Sequence, residues 1–600
     1  MAVDYKAPIE DMAFLVNHVV DAQTVFQLPG YEECTPDVVQ AILEEAGKFA
    51  NEVISPLNIV SDTQGATLNA DHSVTTSPGF AQAYTGYASA GWNSLSGDPS
   101  FGGQGLPELL ATATNEMWHS ASMSFALCPM LTAGAIHAIA HHGDEAQKKT
   151  YLPNLVSGQW AGTMNLTEPQ AGSDLAAVTT KAIPDADHYR ISGVKIYITY
   201  GEHDFTENII HLVLARLPDA PKGVKGISLF IVPKYIVNAD GSLGARNDVK
   251  CLSLEHKLGI HGSPTAVMSY GESSGAIGYL VGQANQGLTY MFTMMNHARL
   301  NVGLQGVSIS ERAVQQALWY AFDRVQGKTL IEGPLANTPA PIAFHPDVRR
   351  MLAAMQCRVQ AMRALTYEAA AQLDIAGHHP DAAIASLAQS RVDVLIPVVK
   401  GWCTEQSIEL ASLGVQIHGG MGYVEETGAA QHLRDARITT IYEGTTAIQA
   451  NDLLGRKLLR DAGAAFGDLL ADVRQTCEKL AMSSGTDLQR LGEQLNEGVE
   501  VLQQSIDWML AQGKKDPAAA YFGSVPFLML AGDVLGGWMM ARAALVCQDD
   551  KVEIDTVFRQ AKTSAALLYG DMVLIPGLGR AHLIKCGQQS LRHALNLTLS

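Results

Sequence analysis

The run Tyr442-Glu443-Gly444-Thr445 places one carboxylate on a short glycine-containing turn, directly before a helical pattern that begins at Thr445. A carboxylate at a chain bend can point into a cavity and move a proton there, instead of joining a row of solvated charges. Far upstream, Thr167-Glu168-Pro169-Gln170-Ala171-Gly172-Ser173-Asp174 forms a polar loop with hydroxyls at both ends. A third run, Gln416-Ile417-His418-Gly419-Gly420-Met421-Gly422, lacks side chains at Gly419 and Gly420, which lets a ligand approach the backbone closely. It is not a nicotinamide fingerprint, because no GxGxxG follows a strand and opens a helix. His137, His141 and His142 share helical spacing but lack HExxH or an accompanying carboxylate pattern, so they read as an amphipathic face and no metal is expected.

The elements that must position these residues change character twice along the chain. After an extension over 1–35, whose Ala13-Phe14-Leu15-Val16 can staple onto the body, residues 36–160 repeat apolar side chains every three or four positions. The loop Asp98 to Pro107 interrupts them. Over 161–285 the pattern shifts to short β-branched runs: Tyr189 to Thr199, His211 to Leu217, Ile227 to Val232 and Thr265 to Tyr270. Turn residues separate them, which predicts an antiparallel sheet. The helical period returns over 286–455, where Val348, Met351, Leu352, Met355, Val359 and Met362 mark one face of a long helix and read as bundle core. Residues 456–600 are helical again. The expected fold is therefore α+β: an N-terminal helical domain, a central antiparallel β domain, a helix bundle and an additional C-terminal helical domain.

Six hundred residues exceed one core and suggest several domains. A hydrophobic content of 47% against 17% charged residues describes a well-buried globular chain. The net charge of −19 argues against a nucleic-acid binder, which needs clustered Lys and Arg. None of the eight cysteines forms a CxxC pair, so reduced thiols and a cytoplasmic protein are expected. The most apolar window, Phe527 to Val546, contains Asp533, three glycines and Arg542, and reads as a buried helix, not a membrane span.

The loop at 167–174 and the turn at 442–445, in that order and within helix, sheet and helix bundle, resemble the acyl-CoA dehydrogenase family. The resemblance covers about residues 36–455 and extends more loosely through the tail. Glu255-His256-Lys257-Leu258-Gly259-Ile260-His261-Gly262-Ser263 and Met294-Met295-Asn296-His297-Ala298-Arg299 point to the long bacterial subgroup with an extra C-terminal helical domain.

The resemblance implies FAD as cofactor, an acyl-CoA substrate, an electron-transfer flavoprotein as electron acceptor and a homodimer or higher oligomer. Glu443 stands at the family's catalytic position, where it would take the proton beside the thioester carbonyl; the other position that some members use corresponds to Ala298, which cannot accept a proton. Thr167, with the main chain of Met164 and Leu166, corresponds to the segment that contacts the flavin ring, and Ser173 to a contact with the pyrophosphate or the pantetheine. Gln170 stands where many relatives have Gly. Tyr197 replaces the Trp of several relatives on the strand that covers the flavin, and Thr199 follows on the same face. Arg324 matches an Arg that reaches the pyrophosphate of a neighbouring subunit's flavin, with His345 in the same register. Gln416, Gly419 and Gly420 would supply the opposite lobe of the dinucleotide site, and Thr445 a flavin contact beyond the base. Arg299 and Gly444 correspond to substrate-binding positions, and Asn296 stands where an Asp is often seen. Trp118, Met123, Phe125 and Met130 are candidates to line an acyl tunnel. A dehydrogenase acting on 3-methylthiopropanoyl-CoA, an acyl-CoA oxidase and a non-catalytic flavoprotein on the same scaffold stay open as alternatives.

Overall fold

The computed structural model describes residues 4–598 apart from Pro334. The chain forms two compact units: Met1–Gly47, Pro107–Glu116 and Val302–Ser600 make one, and Lys48–Leu106 with Met117–Asn301 the other.

The second unit is built on an eight-stranded sheet. The strand order is Val249–Leu254, Thr265–Tyr270, His188–Thr199, Ala276–Leu280, Ile227–Pro233, Asn208–Arg216 and Trp160–Asn165, with Lys181–Asp185 pairing off this path. Pairing is antiparallel as the β-branched runs predict, except where Trp160–Asn165 runs alongside Asn208–Arg216 and Lys181 meets Arg216, both parallel. A parallel neighbour buried on both faces needs no polar alternation, and all six residues of Trp160–Asn165 are buried. The helix Met123–His142 packs on that strand so closely that a Cβ on Gly162 would lie 2.3 Å from the Ala135 methyl. Trp118 and Phe125, candidates for a tunnel wall, sit instead in an aromatic core. Trp118 meets Phe49 and Tyr87 edge-on, and Phe125 meets Phe80 edge-on at 5.5 Å.

The first unit is helical. Its central helix, Pro346–His378, starts with the predicted stripe: Val348 is half-buried, and Met351, Leu352, Met355, Val359 and Met362 are buried. From Ala361 to Gln372 it is buried on every side, so its charged residues there need partners. Arg363 donates to Glu116, Glu311 and Asp11, each at 2.7 Å, and Tyr367 donates to the other Glu116 oxygen at 2.8 Å. Asp11 lies in the N-terminal extension and also pairs with Lys562 in the C-terminal tail. Phe14, from the predicted staple, meets the Phe558 ring edge-on. One buried guanidinium thus fixes three chain segments to the bundle.

Among the described residues, three helical runs are long and apolar enough to cross a membrane: Met123–His142, Ala382–Tyr423 and Ser524–Gln548. In the last, 89% of the most apolar window is buried inside the protein, against other helices of the first unit. Its two charges are matched, Asp533 to Arg580 at 2.9 Å and Arg542 to Glu368 at 2.8 Å.

Replacing Arg363 with Met removes the one cation shared by three buried carboxylates, and the loss should be about 3–5 kcal/mol. The urea midpoint should fall accordingly while the slope of the transition stays near wild type.

Candidate functional site

The helix Ala429–Thr439 ends in a turn that carries Glu443, and Thr445 then opens the helix Thr446–Asp452 as its N-cap, accepting from the Ile448 N–H at 3.4 Å. Two successive residues of this turn are left-handed: Glu443 at φ 53° and Gly444 at φ 92°. For glycine that conformation is free, but for a side chain bearing a Cβ it costs roughly 1–2 kcal/mol. Such strain persists where surrounding contacts over-determine the backbone, and here they do. The buried Lys400 donates to the Gly444 carbonyl at 2.6 Å, and Gln449 donates to the Glu443 carbonyl at 3.1 Å. Thr446 donates to Glu405 at 2.5 Å, and the Tyr442 hydroxyl to Gln305. Glu443 itself is half-buried. The turn is a rigid mount for one carboxylate.

In the same unit, Tyr320, Arg324, Gln326, Ile417, Gly419 and Gly420 line a cleft of about 440 Å³. Gly419 is left-handed at φ 61°, and a Cβ on either Gly419 or Gly420 would project into open space. His418 stacks on Tyr320 with ring centroids 4.3 Å apart, which forms the floor. Arg324 is exposed at the end of its helix. His345 accepts no place in the lining. Its Nε2 lies 2.6 Å from the Gln326 carbonyl, where it braces the strand Val325–Lys328 next to the cleft. Gln416 is likewise outside the lining, exposed on the helix Thr404–His418.

The loop after Trp160–Asn165 belongs to the other unit. Met164 is buried, Leu166 and Thr167 are half-buried, and Ser173 is exposed. Its conformation depends on Glu168, to which the sequence analysis assigned no role. That carboxylate accepts from the backbone and hydroxyl of both Thr179 and Thr180, from Gln170, and from the buried Lys195 at 2.9 Å. Gln170, where relatives have Gly, is thus recruited to the loop's own clamp. Lys195 also donates to the Leu166 carbonyl at 3.0 Å, and the Ile196 N–H to the Thr167 carbonyl at 2.9 Å. Strand and loop are joined at the two residues meant to face a ligand. Burial would raise the Glu168 carboxyl, but Lys195 and the Thr180 and Thr179 donors outweigh it and hold it down at about 2.

Where His188–Thr199 meets Thr265–Tyr270 the register shifts, and Tyr197 sits in that bulge at φ 59°. The bulge turns the ring outward, 61% exposed, with half-buried Thr199 two residues on. Arg299, in the helix Gly287–Asp323, is buried, with its guanidinium 6.0 Å over the Phe292 ring. The His137 ring lies 4.4 Å from His297, and burial lowers both imidazoles, His297 to about 4.

Family models for the acyl-CoA dehydrogenase N-terminal, middle and C-terminal domains match residues 37–159, 163–271 and 285–458, and one for an acetyl-CoA dehydrogenase C-terminal-like region matches 469–594. A 3-methylmercaptopropionyl-CoA dehydrogenase of Ruegeria pomeroyi is 49% identical over 576 residues, covering 95% of this chain and 96% of that protein. The chain belongs to the acyl-CoA dehydrogenase family. Among solved structures, Caenorhabditis elegans ACDH-11 in complex with C11-CoA superposes with a TM-score of 0.74 at 21% identity, over 94% of this chain and 92% of that one. An acyl-CoA dehydrogenase from Bacillus anthracis complexed with FAD gives 0.73 at 22% identity, over 97% and 94%. Both share the helix–sheet–helix fold with its additional C-terminal helices.

The Glu168 clamp has a pH signature. A carboxyl held at about 2 in the fold, against its ordinary 4.5, stabilises fully above about pH 4.5 and loses that contribution as pH falls towards 2. Glu168→Gln should be less stable than wild type at pH 7, since Lys195 loses its counter-charge. The gap in denaturant midpoint should narrow between pH 4.5 and 2.

Proposed function

We propose that the protein oxidises an acyl-CoA to the trans-2-enoyl-CoA, with Glu443 as the base that removes the α-proton. The observation that carries this reading is the strained double left-handed turn, which commits one half-buried carboxylate to a fixed position. The family is FAD-dependent, and each unit offers residues that fit part of that group: the first an open glycine-edged cleft with an arginine at its rim, the second an outward aromatic ring at Tyr197 and a clamped loop at 164–167. Arg324 would reach the pyrophosphate of a neighbouring subunit's flavin, with His345 in the same register, and Gln416, Gly419 and Gly420 would supply the opposite lobe of the dinucleotide site. Thr167, Tyr197, Thr199, Thr445 and the main chain of Met164 and Leu166 would hold the ring, and Ser173 the pyrophosphate or pantetheine. Bound FAD supplies the acceptor for the β-hydride.

The chain's own residues do the rest. Glu443 takes the α-proton, and its backbone N–H stabilises the charge that develops on the thioester oxygen. Burial between a thioester and a ring raises such a carboxylate's proton affinity, which favours proton capture near neutral pH. Arg299 and Gly444 contact the substrate. An electron-transfer flavoprotein would be the electron acceptor, as in the first step of fatty-acid β-oxidation. The 49% identical Ruegeria protein favours a second reading for the acyl group, a 3-methylmercaptopropionyl chain in place of a plain alkyl chain.

Glu443→Gln should keep its bound yellow flavin yet lose turnover by about 10³-fold or more, within the range a positioned base contributes; wild-type turnover would reject the base assignment. Anaerobic flavin bleaching by butanoyl-, octanoyl- and 3-methylmercaptopropionyl-CoA ranks the acyl group. Slower bleaching by 3-methylmercaptopropionyl-CoA than by both alkyl thioesters would overturn the second reading.

A further inference from the structure

The tail over residues 456–600 contains none of the residues assigned to the site, yet its central helix packs on the segment that holds the base. The helix Ala382–Val398 runs into a π-helical stretch, Val399–Cys403, before Thr404–His418. A π-turn inside an α-helix is a local widening frequent at functional sites. This one carries Lys400 and Trp402. Side chains two apart on a helix do not face each other, so the stretch can address two neighbours at once. Lys400, fully buried, donates to the Gly444 carbonyl at 2.6 Å. Trp402, also fully buried, donates from Nε1 to Asp533 on the tail helix Ser524–Gln548 at 2.9 Å.

Asp533 is held in turn. Arg580 donates to its second oxygen at 2.9 Å, and Tyr569 donates to its main-chain carbonyl at 3.0 Å. The packing leaves no slack: a Cβ on Gly532 would lie 2.2 Å from Trp402 Cγ, and one on Gly401 2.8 Å from the Leu528 methyls. The tail also reaches the far side of the turn, where Ser524 donates to Asn451 in the helix that Thr445 caps.

We propose that the C-terminal tail is a positioning element for the base: Asp533 fixes Trp402, the π-helical stretch transmits that fix to Lys400, and Lys400 holds the Gly444 carbonyl and with it the Glu443 backbone. This rests on Glu443 being the base. Without the tail, a turn with two left-handed residues in succession would relax toward less strained backbone and carry the carboxylate with it. A displacement of the order of 1 Å at a reacting group can cost about 10²-fold in rate. Lys400 and Trp402 are positioning residues, since neither needs to touch substrate.

Lys400→Met keeps the buried stem and removes the donor, and Trp402→Phe keeps the ring and removes the N–H to Asp533. For both holoenzymes, FAD content and acyl-CoA affinity should match wild type. Flavin bleaching by α-deuterated thioester should show a larger isotope effect, with the bleaching rate down about 10²-fold for K400M and about 10-fold for W402F. Amide hydrogen exchange over residues 440–449 should quicken in both, an effect readable without turnover. A lower melting temperature with unchanged isotope effect and unchanged exchange in the turn would overturn the proposal by reducing both residues to packing. If K400M does not fold, W402F decides alone on the same readouts. An inactive E443Q beside unaltered K400M and W402F kinetics sinks this inference only, whereas an active E443Q sinks the base assignment beneath it.

Discussion

A carboxylate can serve as a positioned base only if its backbone cannot drift, and the conformation adopted here is one that a chain would leave if allowed. Glu443 occupies left-handed space without being glycine, and Gly444 follows in the same region. Such a pair stays put because donors from outside the turn grip its carbonyls, from Lys400 and Gln449. The helix bundle around it, with its buried ion network at Arg363, gives those donors a fixed origin. The bundle's stability therefore serves a few tenths of an ångström at one side chain.

Much of the architecture was legible in the sequence because period and burial coincide. The four β-branched runs became strands, Thr265–Tyr270 to the residue and Asn208–Arg216 starting three residues before the run, while Val249–Leu254 and Ala276–Leu280 were not foreseen; the methionine stripe of Pro346–His378 became core. Phe527 to Val546 read as a buried helix because its charges had to find partners, and Arg580 and Glu368 supply them. The strand Trp160–Asn165 was harder. Buried on both faces, it shows no alternation, so its parallel pairing left no mark in the pattern.

The candidate site was legible where a residue's chemistry is unusual for its place, as with Glu443 on a turn or paired glycines at 419–420. It was illegible where a common residue acts through three-dimensional neighbours. Lys195 and Lys400 look like ordinary lysines in apolar runs, and only the fold shows them buried against loop carbonyls. Trp118 and Phe125 failed in the opposite direction: large apolar residues suit a tunnel or a core equally, and edge-on packing against Phe49 and Phe80 assigns them to core.

The two buried lysines show the same solution reached in each unit. Each stands on a regular element, one in the strand His188–Thr199 and one in a helical stretch, and each reaches a carbonyl of an irregular segment that carries the site. A lysine suits this task better than an arginine, since a compact ammonium delivers its donors at one point without a planar fork that needs matched acceptors. A main-chain carbonyl suits it better than a side-chain acceptor, because it cannot ionise or rotate away as pH or ligand changes. The cost is a desolvated cation, and around Lys195 the Glu168 carboxylate offsets it. Irregular segments are needed at sites because they can aim side chains and amides inward, but they lack the repeating hydrogen bonds that would hold them. A buried cation on a neighbouring regular element replaces that missing ladder with a single strong bond.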